Sequence, residues 1–297
     1  MIDSVSPLEL AIVIAVLVAA ALSRAYRPIG DEPVDQWAEA RGLELTAENR
    51  PVVERYLRRA RLLRTWGAVA GLAAPTLIRP LLGEPVHVAG VGSYEMTPLE
   101  LGWVFVGYLV GAVCAEVSVS RPFDPARRSA ALLPRELTDY LPRQLLWLQR
   151  GLALTSIGGL VVLRFVPYGP SGPPPSWGTI AVFATVMFGL AAGLERLEHW
   201  IVRRPQPFVS ASLLAADDAI RAQSLHSLAG AGAGFLFFAC SLTSYALALS
   251  ELEILRRTMW APALLALLLA LVACQYYGAR AWQVRRHASG STRSALS

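Results

Sequence analysis

Glu116 and Glu198 are carboxylates set inside apolar runs, each a few residues ahead of an Arg-Pro pair: "GYLVGAVCAEVSVSRP" at 107–122 and "GLAAGLERLEHWIVRRP" at 189–205. A charge at mid-membrane costs on the order of 2.5 to 3.5 kcal/mol, and much less within a turn of the interface. Two chemistries fit such a residue. It is either an anchor, bonded to Arg121, Arg203 or a neighbouring helix, or a site for a cation or proton. Both glutamates lie near the inner ends of their runs, so anchoring is the expected role and ion binding the alternative.

The nearest thing to a catalytic cluster is "LLAADDAIRAQSLH", in which Asp217 and Asp218 precede Arg221 and His226 by one and two turns. Adjacent carboxylates point about 100° apart on a helix, so only one can face a given site. A solvated helix start is the expected reading. His199 follows Glu198 but has no second histidine four residues away, which rules out a metalloprotease helix. "LAGAGAGFLFF" at 228–238 lacks the strand-turn-helix setting of a nucleotide loop, and Gly230 and Gly234 are expected to serve close helix packing. No serine has convincing nucleophile partners. Cys114, Cys240 and Cys274 all fall in apolar runs, with no C-x-x-C, so neither a disulfide framework nor a zinc site is expected. No catalytic residue, metal or cofactor is assigned.

The elements that must hold these residues are membrane helices. Of 297 residues, 54% are hydrophobic and 16% charged, with a mean hydropathy of +0.44. That is more apolar surface than one soluble core needs. Seven runs approach the length that crosses roughly 30 Å of hydrocarbon, near 8–23, 66–82, 99–119, 146–166, 177–202, 227–249 and 259–281. The sequence therefore predicts an all-α, polytopic helix bundle forming one membrane domain over 1–297, with about seven transmembrane helices. The first run follows Asp3 and Glu9 and precedes Arg24 and Arg27, the reverse of a signal peptide, and reads as a retained anchor with its N-terminus outside.

All 27 basic residues are arginine, which reflects base composition more than guanidinium chemistry. Their placement still orients the chain. Segments 24–65, 120–145, 203–226 and the tail from 280 hold 21 of them. These segments are placed inside, together with the C-terminus, and 283–297 is expected to be a flexible cytosolic tail. The net charge of +5 is a topology signal, and no nucleic-acid partner is expected.

The two opening segments also share their glycines. Gly107 and Gly111 match Gly189 and Gly193 at an offset of 82, and "SAALL" at 129–133 faces "SASLL" at 210–214. Residues 101–166 and 183–249 accordingly read as a parallel duplication of a helix-loop-helix hairpin. Four-residue glycine spacing lets a neighbouring backbone approach, so both pairs are expected to pack against helices.

The longest inner segment, 24–65, reads as a cytosolic helical appendage. Gly42 looks like a helix end after "VDQWAEAR", and Asn49 looks like the cap of a second helix with Pro51 in its first turn. That helix runs straight into the second span. Val53, Tyr56, Leu57 and Leu63 form an apolar stripe, and Glu54 is placed to pair with Arg58.

"RGLELTAENRPVVERYLRRAR" and "RPQPFVSASLLAADDAIRAQSLHSLAGAG" resemble segments of uncharacterised polytopic membrane proteins of high-GC Gram-positive bacteria. The resemblance implies a bacterial cytoplasmic membrane address and a lipid bilayer as partner, with no activity to carry over. Two functions are expected from the whole. One is a non-enzymatic, transport-associated membrane subunit. The other is a membrane scaffold or sensor that binds a cytosolic or membrane protein partner through 24–65.

Overall fold

A computed structural model describes residues 7–81, 98–119, 128–129, 136–167, 175–204, 206–207 and 210–279. Among these the chain is helical, apart from one two-residue antiparallel pairing. In order, the helices are α1 (Pro7–Tyr26), α2 (Asp31–Glu39), α3 (Arg50–Leu81), α4 (Pro98–Val119), α5 (Arg143–Phe165), α6 (Trp177–Arg203), α7 (Ala211–Ala248), α8 (Glu253–Thr258) and α9 (Trp260–Ala279). The expected tail and the loop at 83–98, except for its last residue, lie outside the described residues.

α7 is the axis of the bundle. Every residue from Ala219 to Gly234 is buried, which suits a helix that is apolar and small on all sides. α4, α5, α6 and α9 pack around it. Leu225, Leu228 and Ala229 of α7 form one core with Leu109 of α4, Leu145 of α5 and Leu194 of α6.

The outer helices turn apolar side chains outward, among them Leu154 and Val162 on α5, Val182 and Phe188 on α6, and Leu264 and Leu268 on α9. Trp177 and Trp200 are both exposed on α6, separated by roughly 34 Å at 1.5 Å per residue, close to the spacing of the two interfaces of a bilayer. Among the described residues four stretches are long and apolar enough to cross a membrane: Arg143–Phe165, Trp177–Arg203, Ala211–Ala248 and Glu253–Ala273. A shorter apolar helix covers Gly102–Ser118.

The described parts of 24–65, 120–145 and 203–226, three of the segments assigned to the inside, meet at one end. The α4–α5 loop contributes β1 (Arg128–Ser129) and the α6–α7 loop β2 (Gln206–Pro207), with Arg128 paired to Pro207 and Ser129 to Gln206. The appendage docks at the same end: the Ser210 and Ser212 hydroxyls at the start of α7 donate to Glu48 Oε2 at 2.5 Å. At the other end Leu163 and Val166 pack with Leu247, and the Glu251 amide donates to the Pro167 carbonyl at 3.3 Å.

Within the appendage Gly42, at φ +60°, ends α2 as expected. Leu43 N donates to Ala38 O and Gly42 N to Glu39 O, both at 2.9 Å, the bond pair of a Schellman turn. Two local expectations are corrected. The cap before α3 is Thr46: its hydroxyl accepts from Asn49 N at 3.2 Å, while Asn49 Oδ1 accepts from Thr46 N at 2.9 Å, a reciprocal box that leaves the Asn49 amide to brace Glu44 O and Ser212 O. Glu54 pairs with Arg50 at 3.1 Å instead of Arg58, because Arg50 lies one turn back on the same face, beside Asp31 and Asp35.

Candidate functional site: two carboxylates flanking the central helix

Glu116 closes the α3–α4–α7 junction. It is buried, with Oε1 3.0 Å from Arg64 Nη2 and 3.5 Å from the Tyr56 hydroxyl, which also lies 3.4 Å from Ser224 Oγ on α7. Of the anchors offered by the sequence, the neighbouring helix is the one used, and it is α3. Arg121 lies outside the described residues.

The approach of α3 that makes this pair is set by glycine. A methyl group on Gly67 would run into the Gly107 carbonyl, and one on Gly107 into that of Gly67. Gly71 meets the Trp103 carbonyl and Gly111 that of Leu63 in the same way. Two G-x-x-x-G faces therefore interlock. Gly67 and Gly71 are absent from the sequence reading, although their four-residue spacing in "WGAVAGLAA" is the same signal that identified Gly107 and Gly111.

Gly189 and Gly193 correct the expectation of packing. Both are exposed, and a methyl on either would meet nothing within 4 Å. α6 places these glycines on its outward side, so the matching spacing carries no matching contact. Gly230 and Gly234 are buried within α7, and Leu194 of α6 fills the space beside Gly232 between them.

Glu198 differs from Glu116. It is fully buried between α5, α6 and α7, yet neither carboxylate oxygen has a hydrogen-bond partner. The Gln149 side-chain amide of α5 acts on this carboxylate without a well-formed hydrogen bond to it, and its nitrogen donates to Ala229 O at 3.2 Å. The expected anchor to Arg203 is not formed: Arg203 is exposed at the end of α6, more than a turn beyond. The other arginine on this side, Arg150, is taken by Glu195 at 2.6 Å in a half-exposed pair.

The Asp217–Arg221 group is architectural. Arg221 is fully buried, and its Nη1 donates to the carbonyls of Ile201 and Val202 at 2.8 Å and of Arg204 at 2.9 Å. Those carbonyls lie at and just past the end of α6, where a cation also meets the negative end of the helix dipole. Asp217 holds Arg221 at 2.7 Å and Arg204 at 2.8 Å. The expected solvated helix start is thus corrected for Asp217, which is drawn inward by two guanidinium groups. Asp218 is half-buried beside it. His226 is buried deeper, with Nδ1 2.8 Å from the Ala222 carbonyl, and does not join Asp217 in one site. The Cys240 thiol donates to Leu152 O at 3.3 Å, whereas Cys114 is exposed. Among the described residues no group of three or more His, Cys, Asp or Glu is placed to hold a metal ion.

Fold and site together define an all-helical protein with four helices able to cross a membrane, and two buried carboxylates on different sides of one central helix. No protein-family model, curated protein or solved structure matches the chain.

Proposed function

We propose that the chain is a non-enzymatic, transport-associated subunit of the bacterial cytoplasmic membrane, in which Glu198 holds a proton or a small cation. The observation that carries this reading is the contrast between the two glutamates: Glu116 has a guanidinium partner, and Glu198 is equally buried without a hydrogen bond to either oxygen. An uncompensated carboxylate away from water is costly, and inside a membrane bundle such a group is by default a functional one. A proton or a cation removes that cost.

The scaffold or sensor reading has less support. The apolar stripe that a partner would need, including Val53 and Tyr56, is packed against α2, Ala115 of α4, and Ala216, Ala219 and Ile220 of α7. What 24–65 leaves outward is charge of both signs, Arg55, Arg58 and Arg59 together with Asp31, Glu32, Asp35, Glu39, Glu44 and Glu48.

Glu198→Gln keeps size and removes charge. The full chain in detergent should show a melting temperature that depends on pH or on an added alkali cation, because a ligand stabilises the state that binds it. Glu198→Gln should fold and lose that dependence, whereas Glu116→Gln should keep it and melt lower. A folded Glu198→Gln protein with the wild-type dependence sinks the proposal.

A further inference from the structure

A cavity of about 670 Å³ lies between α1 and α3 and is closed by Trp37 of α2, Tyr108 of α4 and Gln223 of α7, with its arginines midway along the α3 wall. Ala68, Val69 and Leu72 of α3 line one apolar part with Val18 and Ala21 of α1, and Arg24, Arg61 and Arg64 stand between it and the appendage wall of Ile29, Trp37 and Leu57. From Arg61 to Leu72 the helix rises roughly 16 Å. A compact polar ligand would leave the apolar part empty, and an acyl chain alone would leave the arginines unmatched.

The charges in this cavity are not balanced. Arg64 is matched by Glu116. Arg61 gives one nitrogen to the Arg27 carbonyl, and its Nε has no acceptor. No carboxylate among the described residues pairs with Arg24, Arg58 or Arg61, and the nearby acids Asp31, Asp35 and Glu54 are all engaged by Arg50. Burial, together with the charges of Arg24 and Arg58, holds the Arg61 guanidinium below its ordinary pKa, as expected where cations crowd without a counter-ion. α1 and α3 are also tied to each other nearby: Trp66 Nε1 donates to the Tyr26 hydroxyl at 2.9 Å, with the rings edge to face. Such aromatic pairs mark the membrane-water interface.

We propose that this groove is a built site for one anionic phospholipid of the inner leaflet, with its phosphate on Arg24 and Arg61 and one acyl chain along Val18, Ala21, Val69 and Leu72. The volume falls in the range of ordinary ligand sites, about 300 to 1,000 Å³. A guanidinium pair suits a phosphodiester, and arginine charge without a counter-ion disfavours the quaternary ammonium of a zwitterionic headgroup. The site shares no lining residue with the surroundings of Glu198, and its failure would leave the proton or cation reading untouched.

The test uses the full chain, purified and stripped of lipid in a non-ionic detergent, then titrated separately with dioleoyl phosphatidylglycerol, dioleoyl phosphatidylcholine and inorganic phosphate. Phosphatidylglycerol should raise the melting temperature and remain as a one-to-one adduct in native mass spectrometry, with phosphatidylcholine binding at least tenfold more weakly and inorganic phosphate giving no shift. The double variant Arg24→Gln, Arg61→Gln should bind phosphatidylglycerol at least tenfold more weakly. Ala21→Phe, which fills the apolar wall and keeps both arginines, should do the same and serves as the deciding variant if the double variant does not fold. Equal binding of the two lipids, an equal shift from inorganic phosphate, or folded Ala21→Phe protein that retains its adduct would each overturn the site.

Discussion

Arg221 shows how a polar residue in an apolar helix becomes structural. Its guanidinium satisfies three carbonyls at the end of α6 and is itself neutralised by Asp217. Removing the cation leaves acceptors and a carboxylate unpaired together, the costly way to break a buried pair. Arg221→Leu should therefore lose about 3 to 5 kcal/mol of stability in reversible denaturation from mixed micelles. Asp217→Asn leaves the three carbonyl bonds in place and should lose only about 1 to 3 kcal/mol. Equal losses would show that the ion pair, and not the closure of α6, is what matters. The sequence brought Asp217, Arg221 and His226 together by spacing, but spacing along α7 does not reveal which neighbouring helix ends beside it.

At the scale of elements, identical glycine spacing has two outcomes. Gly107 and Gly111 lock α4 onto α3 by backbone contact, and Gly189 and Gly193 face outward from α6. Gly107→Leu should push α3 and α4 apart and strain the Arg64–Glu116 pair, losing about 1 to 3 kcal/mol as an overpacked contact does. Gly189→Leu should be neutral or stabilise by up to about 1 kcal/mol, since leucine is the better helix former. Thermal melts of the two variants in one detergent separate them. A Gly189→Leu protein that melts well below wild type would place an unseen helix against that face. The proposed duplication of 101–166 and 183–249 meets the same divide, because α5 remains partly exposed and α7 becomes the buried axis.

For the whole molecule, the alternation of ends follows from the chain: β1, β2 and the appendage lie together, and the α5–α6 turn residues described sit with α8 at the opposite end. Seven spans with the N-terminus outside and the C-terminus inside remain the proposed topology. Single cysteines at Thr138 and Glu251, both exposed, in a cysteine-free background should react with an impermeant maleimide from the inner and outer sides respectively. Reversed labelling would invert the arginine-based orientation and move the proposed lipid to the outer leaflet.

Composition and periodicity by themselves determined an all-helical chain with membrane-length apolar helices, and local signals determined the Gly42 turn and the helix that runs from the appendage toward the second span. These properties depend on residues within a few turns of one another, so they are written along the chain. Which face each helix presents to another was decided only in three dimensions. Arg64 reaches Glu116 across 52 positions, Gly67 meets Gly107, and Glu198 is left without a guanidinium partner among the described residues. A helix fixes the relative angle of its own side chains. It does not fix the rotation or depth at which it docks, which is set by the sum of contacts with all its neighbours.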